Sequence, residues 1–512
     1  MRRLGVLLHI TSLYGRDLIG TLGKTSFDML ERLHKAHLSI WQVLPVCPIG
    51  YGASPYASPS LFAGNILLLD IDELFSKGFI TDELCDSYFF QLEQYKQVSC
   101  TNPNTVDYEA LIQYKVPFLY NCALHFLNKM KSNESLQYEY YAFCKEEEYW
   151  LDDYALFASL NGKNVTTKDI IKTLKTHKIE CKNDEEIKEI EKILQFFFFK
   201  QWKEFKAKAQ ERDILLFGDV PMFPSYNSSD VAFHRELFCL DEEGEPTLVA
   251  GVPPDYFSSE GQLWGNPVYD WQKMQANNYE WWCNRIKHNL KFFDYLRLDH
   301  FRGFHSFWGV PYGEKTAKNG KWLEAGGYQF FDVLKKELQT EELPFIAEDL
   351  GIITDEVRAL KDAFHLKGMN VLHFAFNASE YKSENVSSSY LPHNVLENSV
   401  IYTGTHDNNT TLGWLSQMQE DERRFVCEYV GVQCNAGDEQ VARALMRLAI
   451  FSLSDWAIIP MQDYCLQDGS ARMNTPSTTE GNWQWRMSEQ MFDDAKIKEI
   501  ANLAVLFSRY RK

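Results

Sequence analysis

An arginine and four carboxylates lie where short apolar runs of this sequence end. The clearest case is the stretch FDYLRLDHFRG, in which Arg297 and Asp299 close a run rich in aromatic residues. Side chains alternate between the two faces of a strand, so Arg297 and Asp299 point the same way, and the guanidinium holds the carboxylate ionised and oriented. An ionised, positioned carboxylate is what a nucleophile at an anomeric carbon must be. The carboxylates at comparable positions are Asp219, Glu348 and Asp407.

Two of these carboxyl groups suit complementary tasks. Glu348, in IAEDLG, lies among other carboxylates, which favours its protonated form, and its extra methylene gives it reach to a leaving-group oxygen. Asp407, in GTHDNN, can hydrogen-bond to sugar hydroxyls while a ring flattens toward an oxocarbenium ion. Asp299, Glu348 and Asp407 are therefore candidates for a nucleophile, an acid/base and a transition-state stabiliser.

Other interpretations of the same residues stay open at this point. An aspartate at a strand end commonly caps the next helix or joins an ion-pair network. Asp299, His300, Asp349 and His406 could also supply metal ligands, although the sequence has no HExxH-like pair and no Cys/His cluster with metal spacing. It also lacks a GxGxxG after a strand and a GxxxxGK[ST], so a nucleotide cofactor has no support.

Carboxylates from distant parts of the chain need a scaffold that brings strand ends together. Near-continuous apolar strands are typical of a parallel sheet that is buried on both faces. Eight such runs with helical patterns between them predict a (β/α)8 TIM barrel, whose strand carboxyl ends open on the face where catalytic groups gather. The runs lie at 4–11, 40–46, 214–223, 292–300, 343–351, 369–377, 399–408 and 455–463.

We predict a single α/β barrel domain over residues 1–512, elaborated by large insertions after barrel strands. A plain barrel needs about 250 residues. The surplus lies mainly at 70–190, predicted to be largely helical, and at 224–291. The clearest helical pattern is at 184–213, where apolar residues recur every three or four positions, and we interpret its run of phenylalanines as core packing.

Charge and cysteine usage exclude several classes of partner. The net charge of −19 argues against nucleic acid and against anionic membrane surfaces. The sequence has no run of 18 apolar residues, so no membrane span is expected. Eleven cysteines without a CxxC pair indicate a reducing, cytoplasmic compartment rather than a disulfide framework. The sequence leaves open whether the chain is a monomer or a homodimer.

Seven stretches resemble the signatures of the 4-α-glucanotransferases, also called amylomaltases or disproportionating enzymes (glycoside hydrolase family 77, α-amylase clan). They are spread from residue 54 to 486, so the resemblance covers nearly the whole chain outside the interior of the 70–190 insertion. Three carry the candidate carboxylates: LRLDHFRGF, IAEDLG and GTHDNNTTLGW. The other four are SPYASPSLFAGN, GDVPMF, GVPPDYFSSEGQLWGNP and RMNTPSTTEGNWQWR.

The resemblance implies transfer of an α-1,4-glucan segment between malto-oligosaccharides by a retaining double displacement, without a metal or organic cofactor. It implies that Asp299 is the nucleophile, Glu348 the acid/base and Asp407 the transition-state stabiliser. Retention requires that the Asp299 and Glu348 carboxyl groups lie about 5–5.5 Å apart. The implied substrate-binding residues are Arg297, which orients the nucleophile, Asp219 in the active-site network, His406 at the donor sugar, Tyr56 stacked on the donor side, and Trp264 as the acceptor platform in a cleft-covering loop.

Four residues depart from the family pattern. Asn227 and Ala232 stand where the family has Asp and Trp, and Asn409 and Ser477 stand where it has Asp and Gly. None is a candidate catalytic carboxylate, so the expected reaction class stands, whereas Asn227 and Ala232 bring the preferred chain length into question.

Two other functions fit the same carboxylates. The first is an α-glucan hydrolase of the same clan, because water can resolve a glycosyl-enzyme as well as a sugar hydroxyl can. The second is a non-catalytic glucan-binding protein, against which the presence of all three carboxylates counts. The pathway served, maltose uptake or glycogen and starch turnover, is not indicated by the sequence.

Overall fold

The computed structural model describes residues 2–99, 102–161, 185–254, 258–351, 353–383, 386 and 388–510. Its strands, numbered in chain order, are β1 (Arg3–Leu7), β2 (Ile40–Gln42), β3 (Leu215–Val220), β4 (Leu248–Val252), β5 (Gln262–Pro267), β6 (Tyr295–Leu298), β7 (Ser306–Pro311), β8 (Lys321–Glu324), β9 (Phe345–Ala347), β10 (Gly368–Val371), β11 (Ser399–Tyr402) and β12 (Trp456–Pro460).

Eight of these strands form one parallel sheet, in the order β10-β11-β12-β1-β2-β3-β6-β9. The two outer strands approach each other through an isolated parallel bridge between Ile346 and Lys367, where the Ala347 N–H donates to the Lys367 carbonyl at 2.8 Å. The sheet therefore closes almost completely, and the predicted (β/α)8 barrel is confirmed.

Each predicted apolar run overlaps one barrel strand, but the strands are shorter than the runs, and β1 and β10 begin one residue before theirs. In the run predicted at 292–300, Phe292 ends a helix and the strand stops at Leu298. Asp299 lies just beyond the strand, although its N–H still donates to the Val220 carbonyl at 3.1 Å. Polar side chains leave the buried sheet where solvent begins, so the end of this run, from Asp299 on, projects from the barrel rather than extending the strand.

A second sheet was not predicted from the sequence. It is antiparallel, in the order β5-β4-β7-β8, and lies partly within the 224–291 surplus and partly after β6. Its strands β5 and β8 are largely exposed, so they lack the continuous apolar run by which the barrel strands were found. This sheet carries Trp264, on β5.

Helices surround the barrel and fill most of the described part of the 70–190 insertion. Residues 162–184 of that insertion lie outside the described residues. The α-helices are Lys24–Lys35, Ile71–Ser76, Asp82–Ser99, Tyr108–Ala110, Val116–Met130, Glu134–Glu146, Glu148–Asn161, Glu185–Gln210, Ser229–Phe233, Trp271–Ala276, Glu280–Phe292, Gly327–Leu338, Asp355–Ala363, Ala378–Lys382, Thr411–Ser416, Glu420–Val430, Asp438–Phe451, Met461–Tyr464 and Asp494–Leu506.

The insertion packs on the barrel through an aromatic core and a buried ion pair. Phe197, in the helix predicted at 184–213, stacks on Phe79 with ring centroids 5.2 Å apart, as expected of core packing. Lys115 Nζ lies 2.6 Å from Asp17 Oδ2, and both side chains are buried. The Tyr88 hydroxyl donates to the other Asp17 oxygen at 2.9 Å. Among the described residues, no helix is long and apolar enough to cross a membrane.

Candidate active site

Arg297 joins two of the predicted site carboxylates. The register of β3 and β6 places Asp219 directly beside Arg297. Arg297 Nη1 donates to Asp219 Oδ2 at 2.7 Å, and Nη2 lies 2.7 Å from Asp299 Oδ1. Asp219 and Arg297 are buried, whereas Asp299 is partly open to solvent. One rigid guanidinium therefore fixes the position of both carboxylates.

Burial and charge act against each other in this pair. Burial raises the pKa of Asp219 above its ordinary value, although the attraction of Arg297 opposes the shift. Burial would lower the pKa of Arg297, but Asp219 and Asp299 together hold it well above the ordinary range. Arg297 therefore stays charged, and its second donor group is committed to Asp299.

Glu348 follows β9 and faces the loop after β6. Its Oε2 accepts from the His300 backbone N–H at 3.0 Å, and the Phe301 N–H donates to the Glu348 carbonyl at 3.2 Å. His300 has a left-handed backbone (φ 48°), which turns its N–H toward the carboxyl group. Burial raises the pKa of Glu348 to about 8, with Arg297 opposing and Asp299 adding to the shift. Glu348 is therefore protonated at neutral pH, as a general acid must be.

A tyrosine and a histidine connect Asp219 to the third carboxylate. The Tyr56 hydroxyl donates to Asp219 Oδ2 at 2.9 Å and lies 3.0 Å from His406 Nε2. Since the single phenolic proton goes to Asp219, Nε2 of His406 must carry the hydrogen of the second bond. The same nitrogen lies 3.4 Å from Asp407 Oδ2. The rings of Tyr56 and His406 are stacked, with centroids 5.3 Å apart.

Trp264 packs against His300, the residue that follows Asp299. Its ring meets His300 edge-on at a centroid distance of 4.8 Å, and 39% of the residue is exposed. It belongs to the predicted cleft-covering loop, of which residues 255–257 lie outside the described residues. An exposed indole beside a catalytic segment has the shape and polarity of a sugar platform.

Sequence reasoning did not single out two residues that contact this cluster. Asn474 and Arg472 follow β12 and bond to Asp407 through its carboxylate and its backbone carbonyl, at 2.7 and 2.6 Å. Both belong to the stretch RMNTPST, part of one of the seven stretches that carry the family resemblance. That resemblance was a usable signal, although it does not show which residue of the stretch turns inward.

The structure does not support the metal-site interpretation. Asp349 is committed elsewhere, because Lys361 Nζ lies 2.7 Å from its Oδ2 and the Met369 N–H donates to its Oδ1 at 2.7 Å. His406 is committed to Tyr56. Within the described ranges, no group of three or more His, Cys, Asp or Glu side chains is placed to hold a metal ion.

The four departures from the family pattern lie in different surroundings. Ala232 is fully buried in a small cluster with Phe157 and Leu160, so its side chain packs inside the protein. Asn227 is exposed, and Asn409 accepts from the Thr410 N–H at 2.9 Å. Ser477 has a left-handed backbone, with φ 66°.

Comparison with known proteins settles the family. The model of the 4-alpha-glucanotransferase family matches residues 8–491. The 4-alpha-glucanotransferase of Synechocystis sp. is 42% identical over 99% of this chain and 97% of that protein. That of Aquifex aeolicus is also 42% identical, over 96% of both. The chain belongs to the 4-alpha-glucanotransferase family.

A solved member of the 4-alpha-glucanotransferase family has the same fold over its whole length. It is the amylomaltase of Streptococcus agalactiae in complex with acarbose, with a TM-score of 0.91 and 32% sequence identity over 100% of both chains. Family membership confirms the resemblance carried by the seven stretches, and with it the prediction that the chain is a glycosyl-transferring enzyme.

Proposed function

We propose that this chain transfers α-1,4-glucan segments from a donor malto-oligosaccharide to the 4-hydroxyl of an acceptor glucan or glucose, with Asp299, Glu348 and Asp407 as its catalytic residues. The observation that carries these roles is the contrast between the surroundings of two neighbouring carboxyl groups. Asp299 is held by a guanidinium, whereas Glu348, which follows the neighbouring strand, is protonated at neutral pH. The S. agalactiae amylomaltase holds acarbose, which supports a sugar ligand.

The first half-reaction cleaves the donor. The Asp299 carboxylate attacks the anomeric carbon while Glu348 gives its proton to the departing glycosidic oxygen. The products are a glycosyl ester on Asp299 and a shortened glucan with a free 4-hydroxyl. Asp407 binds sugar hydroxyls as the ring flattens, His406 contacts the donor sugar beside it, and Arg297 holds the Asp299 carboxylate in position.

The second half-reaction repeats the displacement in reverse. The ionised Glu348 takes the proton from the 4-hydroxyl of an acceptor, whose oxygen attacks the anomeric carbon and releases Asp299. Two inversions give net retention. The predicted separation of about 5–5.5 Å between the two carboxyl groups remains a prediction.

An acceptor sugar must compete with about 55 M water for the glycosyl ester. The exposed ring of Trp264 lies next to His300, and so close to the Asp299 backbone. Stacking of a sugar on this ring raises the effective concentration of its 4-hydroxyl and displaces water from the site. This favours transfer over the hydrolysis that the same carboxylates could perform.

Incubation with maltotriose alone tests the proposal. Transfer predicts glucose and a ladder of longer maltodextrins, with a constant total of reducing ends because one glycosidic bond forms for each bond cleaved. A rise in reducing ends with only shorter products would identify a hydrolase. Bound maltotriose without products would favour the glucan-binding hypothesis.

Two finer expectations stay predictions. The first is the cytoplasmic localisation inferred from cysteine usage. The second is the choice between a monomer and a homodimer, for which size-exclusion chromatography with light scattering is the appropriate measurement.

A further inference from the structure

The segment Arg472–Asn474, here called the clamp segment, hydrogen-bonds to the loop after β11. It contacts both the backbone of that loop and the side chain of Asp407. Asn474 Nδ2 donates to Asp407 Oδ1 at 2.7 Å. The Asn474 backbone N–H donates to the His406 carbonyl at 3.1 Å. A single residue of the loop after Ala471 therefore contacts both His406 and Asp407.

Arg472 fixes the clamp segment itself. Its Nε donates to the Asn474 carbonyl at 2.7 Å, and its Nη2 donates to the Asp407 carbonyl at 2.6 Å. The guanidinium thus joins two backbone segments that are 65 residues apart in sequence. Because Arg472 binds a backbone carbonyl of Asp407 rather than its carboxylate, the positive charge does not pair directly with the carboxylate charge.

We infer that Asn474 is a positioning residue that holds the Asp407 carboxylate in its working orientation while leaving its negative charge unpaired. The inference rests on the proposed function. Asp407 is partly exposed, and its other oxygen is 3.4 Å from His406 Nε2, longer than a strong hydrogen bond. Among the described residues, the Asn474 amide is therefore the shortest side-chain contact of the Asp407 carboxylate.

A neutral donor suits this task better than a charged one. A lysine or arginine at position 474 would neutralise the carboxylate and weaken its attraction to an oxocarbenium ion, whereas an amide orients the oxygen and leaves the charge available. The charged and titratable groups that face Asp407 are His406 on the same loop, Arg472 on the clamp segment and Tyr56 on the loop after β2.

The Asn474→Asp variant tests the inference, because it keeps the size of the side chain and replaces the donor with a second carboxylate. Two carboxylates at this distance share a proton. We expect the acid limb of the kcat/KM profile for maltotriose to move to higher pH by about one unit. We also expect kcat at pH 6 to fall about ten- to a hundredfold, with KM changed less than about twofold.

Two further variants distinguish a loss of Asp407 orientation from a general loss of structure in the loop. Asn474→Ala removes the donor without adding charge, so kcat should fall about tenfold while the acid limb stays in place. Asn482→Asp is the matched control: Asn482 anchors the same loop through Thr475 N–H and Thr478 O but does not contact Asp407. It should lower thermal stability and leave the pH profile unchanged.

The outcomes distinguish the inference from the proposed function. If the parent transfers glucan and Asn474→Asp keeps the parent's kcat and acid limb, Asn474 does not position Asp407. The inference also fails if Asn482→Asp shifts the acid limb as far as Asn474→Asp does. If the parent does not transfer glucan at all, the proposed function itself is wrong.

Discussion

At the scale of single residues, the site contains a chain of contacts that joins two of the candidate carboxylates. It runs from Asp299 through Arg297, Asp219 and Tyr56 to His406 and Asp407, with distances of 2.7 to 3.4 Å at every step. Glu348 lies outside the chain, and desolvation raises its pKa to about 8 although the attraction of Arg297 opposes the shift. This difference in surroundings fits the proposed roles, with attack by Asp299 and proton transfer by Glu348.

The protonation of Glu348 predicts an alkaline limit of activity. Its pKa is raised to about 8, so kcat/KM for maltotriose should be full below this pH and fall as pH rises through it. An α-maltosyl fluoride donor needs no acid to release fluoride, so its kcat/KM should stay level across the same range. An identical alkaline limb with both donors would remove Glu348 from the role of general acid.

The Tyr56 hydroxyl should matter separately from its ring. Tyr56→Phe removes the hydrogen bonds to Asp219 and His406 but keeps the stacked ring, so we expect kcat to fall about tenfold with KM changed less. Tyr51→Phe, an 81% exposed tyrosine of the same loop, is the control and should keep the parent's kinetics. If Tyr56→Phe and the parent have the same kcat, the hydroxyl of Tyr56 has no role in turnover and the residue contributes only its ring.

Contacts between near neighbours in sequence could be predicted, but contacts between strands could not. Arg297 and Asp299 are two residues apart, and extended backbone of the kind that ends β6 places two such side chains on the same side. The Asp219–Arg297 contact depends on the register of β3 against β6, and the two residues are 78 positions apart in the sequence. The contact of Asn474 with Asp407 likewise depends on how the loops after β11 and β12 fold.

At the scale of elements, the turn at 475–478 contains a strained residue. Ser477 has φ 66° where the family has Gly, and an L-residue with a side chain pays about 1–2 kcal/mol in this region. Ser477→Gly should therefore raise Tm by about 1–2 °C in a chain of this length. Ser470→Gly, at another exposed serine without a left-handed backbone, is the control and should lower Tm. A lower Tm for Ser477→Gly than for the parent would contradict the inference that the backbone at Ser477 is strained.

The kind of strand decided which elements could be predicted. Barrel strands such as β12 are buried along their whole length and stand out as apolar runs. The edge strand β8 has no buried residue, so its sequence resembles a loop. The predicted ends of the strands were also wrong. The charged residues after Leu298 belong to the predicted run, but in the structure they lie beyond the end of the strand.

At the scale of the whole molecule, the buried Lys115–Asp17 pair joins the helical insertion to the loop after β1. Lys115→Met leaves the Asp17 charge buried without its partner and should cost about 3–5 kcal/mol of stability. Lys24→Ala breaks an exposed pair with Asp28 and should leave Tm within about 1 °C of the parent. Equal Tm values for the two variants would show that the insertion does not depend on this pair.

The architecture could be predicted from the count of apolar runs and their polar ends, whereas the packing of the insertion could not. Nothing in the sequence distinguishes Lys115 from an exposed lysine, because its partner lies 98 residues away. The barrel therefore follows from local patterns, and the insertion's attachment follows from tertiary contacts.

The most direct test of the account is to trap the glycosyl-enzyme. In Glu348→Gln, an α-maltotriosyl fluoride should still react with the nucleophile, but the intermediate should persist because no base activates an acceptor. Mass spectrometry of a peptic digest should then show one maltotriosyl adduct, on the peptide that contains Asp299, and Asp299→Asn in the same background should abolish it. An adduct on another carboxylate, or its persistence in the Asp299→Asn variant, would contradict the assignment of the nucleophile.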